Sequence, residues 1–123
     1  MDLGITYEAI RISSGNSFVH ETESQLILNG SRDINFTMDL VVKDVTLFQS
    51  IAEEHRVPLE LSPLLVDIFE DGKSRFGGEE WSPNIVKRLE ETIGCAILAP
   101  GFPAEILDNE PEQPWSEVIP VGV

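Results

Sequence analysis

Cysteine occurs once in this chain, at Cys95, so no internal disulfide is possible and no thiolate cluster with metal-binding spacing exists. That usage points to the cytoplasm. Histidine is almost as scarce: His20 and His55 belong to no H-E-x-x-H helix, and no metal ligands are assigned. Positive charge is also short, with 8 Lys and Arg against 22 Asp and Glu, a net charge of -14, and no Lys or Arg after Arg88. Such a surface repels a phosphate backbone, which argues against nucleic acid and anionic membrane as partners. No apolar run approaches the roughly 20 residues that a bilayer crossing needs. The N-terminus carries Asp2, Glu8 and Arg11 among scattered apolar residues, unlike a signal peptide. The nine glycines fall into neither G-x-G-x-x-G nor a P-loop, so a complete dinucleotide site is excluded. No serine sits in G-x-S-x-G, and no catalytic residue is assigned.

What is present is helical periodicity with clear punctuation. Thr6 reads as the N-cap of a short helix over about residues 7–13, ended by Gly15. Asn16 or Ser17 caps a second, with Phe18, Val19, Thr22, Leu26 and Ile27 at helical spacing, which stops at Asn29-Gly30. A third helix places Met38, Val41, Val45, Phe48 and Ala52 on one stripe, widened by Leu47 and Ile51, and is expected to be central; Arg56 and Pro58 end it. Ser62-Pro63 and Ser82-Pro83 each read as an N-cap followed by proline at the first helical position. Leu64, Leu65, Ile68 and Phe69 are the expected buried face of the fourth helix, and Ile85, Val86, Leu89 and Ile93 that of the fifth, which Gly94 closes. The fold expected is all-α, a bundle of about five helices.

Prolines at 100, 103, 111, 114 and 120 forbid a sustained helix after Gly94. The chain therefore divides into a helical domain, residues 1–95, and an extended, acidic, proline-rich tail, residues 96–123. Short apolar patches such as Ile97, Leu98 and Phe102 offer the tail a way to dock.

Phe36 and the pair Lys43-Asp44 remain as candidates. Adjacent Lys and Asp on an amphipathic helix are most often a solvated pair. Here they interrupt an apolar stretch from Leu40 to Phe48, and a charge beside a core-facing stripe needs a partner, which a ligand can supply.

The run from Phe36 through Lys43-Asp44 and Val45-Thr46-Leu47-Phe48 to Ala52 and Val57-Pro58-Leu59 resembles the C-terminal domain of the beta-hydroxyacid dehydrogenases, the 3-hydroxyisobutyrate dehydrogenase family. Ser13-Ser14-Gly15-Asn16-Ser17 is similar to that family's Ser-x-Gly-x-Ser segment, and the likeness covers about residues 3–93. The resemblance implies a helical domain of the 6-phosphogluconate dehydrogenase type that dimerises and closes on a Rossmann domain holding NAD or NADP. Lys43 would approach the cofactor, Asp44 would orient the site beside it, and Phe36 would line the pocket for nicotinamide and a small hydroxyacid. The family's catalytic lysine, in Gly-x-x-x-x-x-Lys-x-x-Asn, and its Ser-Gly-Gly substrate loop have no counterpart in this chain. The cofactor site is therefore partial, and hydride transfer by this chain alone is not expected. The partners expected are a Rossmann-domain half and a second copy, as a dimer, because losing the rest of such an enzyme exposes apolar surface. An alternative from another class is a non-catalytic helical dimerisation or protein-interaction module derived from that fold.

Overall fold

The computed structural model describes residues 1–106. It contains five α-helices, α1 (Leu3–Arg11), α2 (Phe18–Asn29), α3 (Met38–Glu54), α4 (Ser62–Phe76) and α5 (Lys87–Ile93), with a 3₁₀ turn, Ser82–Val86, leading into α5. Among the described residues there is no strand, only an isolated antiparallel bridge between Thr37 and Trp81. The fold is the all-α bundle that the periodicity predicts. The expectation of an extended tail lies outside the described residues from position 107 onward.

Capping explains the helix starts, and in three places corrects the reading above. Helix α1 begins earlier than predicted because Asp2, not Thr6, accepts from the Ile5 amide at 2.9 Å; the Thr6 hydroxyl instead donates to the Asp2 carbonyl. Ser17 caps α2 through the His20 amide, and Gly30, at φ 92°, ends it in the left-handed conformation. Thr37 caps α3. Ser62 and Ser82, in contrast, are the first helical residues rather than caps. Leu61 and Trp81 take the cap positions, and neither makes a side-chain cap bond. At Ser82 the amide is already committed to the Phe36 carbonyl at 2.8 Å, which fixes the chain direction one residue earlier.

The most buried element is the 3₁₀ turn, where Ser82, Pro83, Asn84 and Val86 are all buried. It touches α2, α3, α4 and α5 and so acts as the hub. Around it close Leu26 and Leu28 of α2 and Met38 and Val42 of α3. Gly72 of α4 approaches this hub so closely that a Cβ there would lie 2.4 Å from Ile85 Cδ1. The expectation of a central α3 is thus only half met. Its first half is buried against the hub, whereas its second half pairs with α4 and leaves Leu47, Phe48 and Ile51 exposed. The predicted buried faces of α4 and α5 are corrected too, because Leu64, Leu65, Leu89 and Ile93 are all exposed. Periodicity marks an apolar stripe but does not say whether this chain supplies its cover.

After α5, residues 97–102 run back over the α1–α2 pair as a strap. Ala99 donates to the Leu28 carbonyl at 2.9 Å, Asn29 Nδ2 donates to the Phe102 carbonyl at 2.8 Å, and the Phe102 ring meets Tyr7 edge-on at 5.0 Å.

Candidate functional site

The N-terminus of α3 is held by backbone pairing with residues 78–82. Met38 donates to the Glu80 carbonyl at 2.8 Å and Asp39 to that of Gly78 at 3.0 Å, while the Phe36 carbonyl accepts from Ser82. Asp39 also pairs with Lys73 of α4 at 2.7 Å. Donating a hydrogen bond to the Asp39 carboxylate raises the pKa of the Lys73 ammonium above its ordinary range. These ties fix the helix on which Lys43 and Asp44 stand.

Lys43 and Asp44 lie on the exposed side of α3, not on its core stripe, with 65% and 56% of their side-chain surface open to solvent. The premise that burial makes them need a ligand is therefore wrong. The apolar stretch around them is itself largely exposed, and Lys43 Nζ and Asp44 Oδ1 pair with each other at 3.2 Å. An exposed pair of this kind contributes at most about 1 kcal/mol to stability, so both groups are available to an external partner. Phe36 is half-buried and lies just ahead of the same helix, before its N-cap Thr37. Phe36 thus precedes α3, and the charged pair stands within the helix's first half.

Asp44 also lines an open apolar groove of about 620 Å³ between α3 and α4, with Val45 and Phe48 on one wall and Leu61, Leu64 and Leu65 on the other. This groove was missed in the sequence because its residues read as core. The signal that could have revealed it is the length of the apolar stripe on α3, which continues to Ile51 beyond the hub.

The Ser13–Ser17 segment forms the α1–α2 turn. Ser13 accepts from the Gly15 amide at 3.1 Å, and Asn16 donates to Glu21 at 2.7 Å. His20 is half-buried, stacked on Tyr7 and flanked by the Tyr7 carbonyl at 3.0 Å and Ser24 Oγ at 3.2 Å. Burial, followed by the nearby Glu8 carboxylate, raises the Tyr7 phenol above its usual range. Among the described residues no three His, Cys, Asp or Glu side chains gather as a metal site, and no helix is long and apolar enough to cross a membrane.

As a test of fit to a dinucleotide, this surface supplies one lysine donor, one carboxylate acceptor and an apolar wall. The chain contains no glycine-rich motif of the kind that cradles a pyrophosphate. These residues fit one side of a cofactor, not the whole of it.

Among the described residues the fold is therefore all-α, without a phosphate loop, and presents a charged pair beside an open apolar wall. Residues 1–89 match the family described as the NAD-binding region of NADP-dependent 3-hydroxyisobutyrate dehydrogenase, and the chain belongs to that family. It is 32% identical over 91 residues to 2-(hydroxymethyl)glutarate dehydrogenase of Eubacterium barkeri, an alignment that takes in 73% of this chain and 30% of that enzyme. The chain thus spans less than a third of that relative and is a hydroxyacid dehydrogenase-like NAD-binding region.

Proposed function

We propose that this chain serves as the helical C-terminal domain of an NAD(P)-dependent hydroxyacid dehydrogenase, forming one wall of a cleft whose other wall is a Rossmann half. The observation that carries this reading is the exposed Lys43–Asp44 pair, which lies within the family-matched residues on a helix anchored at its start. Lys43 would donate to phosphate or ribose oxygens, and Asp44 would hold the lysine in place or accept a ribose hydroxyl. Phe36 would cover a flat ring and help keep water out. The nicotinamide, when bound, supplies the hydride chemistry; these residues bind and orient. A small hydroxyacid is the substrate class proposed, with its carboxylate held mainly by the other half.

The test is complementation. The chain is mixed with a separately expressed Rossmann half of a hydroxyacid dehydrogenase, and NADH or NADPH formation from 3-hydroxyisobutyrate and 2-(hydroxymethyl)glutarate is followed. Activity is expected only when both pieces are present. Lys43→Ala is expected to cut kcat/KM by about tenfold or more, a loss near 1.4 kcal/mol of transition-state stabilisation. Activity indifferent to Lys43→Ala would remove Lys43 from the site. Turnover by the chain alone would contradict the account.

A second reading, a helical interaction module derived from the same fold, is favoured by the open α3–α4 groove.

A further inference from the structure

The loop between α2 and α3 carries Phe36 along an unusual backbone path. Gly30, Arg32 and Asn35 stand at φ 92°, 55° and 55°. That left-handed conformation suits glycine but costs the two residues with side chains, so the path persists only where other contacts fix it. Arg32 donates its amide back to the Leu26 carbonyl at 3.2 Å, and Ile34 donates to that of Arg32 at 3.1 Å. The 3₁₀ turn adds two ties: Ser82 donates its amide to the Phe36 carbonyl at 2.8 Å, and Asn84 Oδ1 accepts from Arg32 Nη1 at 3.3 Å. The chain from Glu90 onward adds the rest. Glu90 Oε1 accepts from Arg32 Nη2 at 2.7 Å and from the Ile97 amide at 2.8 Å, so one oxygen joins the loop to the start of the strap. Further along, Leu98 packs so closely on Gly30 that a Cβ there would lie 3.0 Å from Leu98 Cδ2, and Ala99 donates to the Leu28 carbonyl at 2.9 Å.

Arg32 and Glu90 keep only 12% and 14% of their side-chain surface in solvent, and charges withdrawn from water to that degree need each other in place. Without the Glu90 carboxylate, the Arg32 guanidinium keeps only its longer bond to Asn84, and the left-handed backbone four residues ahead of Phe36 is free to relax. The strap acts on the same loop from its other end, because its contacts with Leu28 and Gly30 fix where α2 stops and the loop begins. We propose that Glu90 and the strap form a latch on the loop between α2 and α3 that sets the position of Phe36, with Glu90 as a positioning residue for the candidate cofactor surface. Glu90, Ile97, Leu98 and Ala99 all lie past residues 1–89, the part of the chain that matches the family. The hold on Phe36 stands on this geometry alone; its bearing on a cofactor rests on the function proposed above.

The test uses the full, isotopically labelled chain as wild type, Glu90→Gln and Leu98→Ala. Hydrogen exchange of the Ser82 amide reads the Phe36 carbonyl directly, that of the Ile34 amide reads the loop, and amides within α4 read the rest of the fold. Wild type in enough urea to match the global stability of each variant separates local from general loosening. Glu90→Gln is expected to speed exchange at Ser82 and Ile34 by about tenfold or more relative to α4, and Leu98→Ala by about threefold, an imbalance that urea-treated wild type does not show. If Glu90→Gln loosens Ser82, Ile34 and α4 in the proportion that urea does, Glu90 contributes stability alone and the proposal is overturned. The same samples are then titrated with NADP. With Phe36 in place for only a fraction of the time, the dissociation constant read from amide shifts near residues 36–48 is expected to rise about threefold or more in Glu90→Gln. Selective loosening with unchanged affinity would overturn the positioning role. A wild type without NADP shifts would instead defeat the cofactor reading, and the exchange pattern would still decide the hold on Phe36.

Discussion

At the scale of single residues, Arg32 and Glu90 hold together parts of the chain distant in sequence. Arg32, itself at φ 55°, pairs with Glu90 at 2.7 Å with only 12% and 14% of the side chains exposed, and Glu90 also accepts from the Ile97 amide at 2.8 Å. Burial of Glu90 opposes its ionisation, but the Ile97 amide and the Arg32 guanidinium outweigh that and hold the carboxyl below its usual range. A carboxyl lowered in the folded state stabilises the fold above its unfolded value, near pH 4.3, and loses that contribution as pH falls through the lower folded value. Glu90→Gln is therefore expected to cost about 2–3 kcal/mol at neutral pH and to flatten the acid limb of the stability curve; urea melts across pH 3 to 7 check both. An acid limb of unchanged steepness would show that Glu90 is not the group responsible. Gly30→Ala should cost about 1–2 kcal/mol, since φ 92° strains any side chain and Leu98 leaves only 3.0 Å for the added methyl. Neither Arg32 nor Glu90 stands out in the sequence, because a pair 58 positions apart has no local pattern. Lys43–Asp44, adjacent and set in an apolar run, does stand out, although its exposure is the reverse of what that run suggested.

At the scale of elements, the helices were largely legible because their signals are local. Ser17 and Gly30 bound α2, and α3 starts at Met38, where its stripe begins. The ends that shifted are those where tertiary contact competes with capping, as at Ser82. The strap was less legible, since a proline-rich run predicts irregular chain without telling where it rests. Residues 97–102 lie beyond the family-matched residues yet tie α1 to α2 through Phe102 and Ala99. Phe102→Ala should lower stability by about 1–2 kcal/mol, less than a fully buried phenylalanine because the ring is half-exposed. Hydrogen exchange should show α1 losing protection while α3 and α4 change little; equal loss everywhere would mean that the strap has no particular hold on α1.

At the scale of the whole molecule, charge dominates. A net charge of -14 on 123 residues repels itself, so moving from about 10 mM to about 150 mM salt should raise the melting temperature measurably. Stability independent of salt would show that the local pairs already balance the field. The same charge disfavours anionic ligands, and in the proposed cofactor site Lys43 is the cation that would oppose it. The family was legible from a short run of residues, while the open groove was not, since periodicity treats every apolar stripe as core.

The central claim, that α3 carries one wall of an NAD(P) site, is tested most directly by titrating the isotopically labelled chain with NADP and NAD and following amide shifts by NMR. The account predicts saturable shifts confined to residues near 36–48, with a dissociation constant around the millimolar range, lost in Lys43→Ala. Shifts scattered over the surface, or centred on the strap, or unchanged by Lys43→Ala, would contradict it.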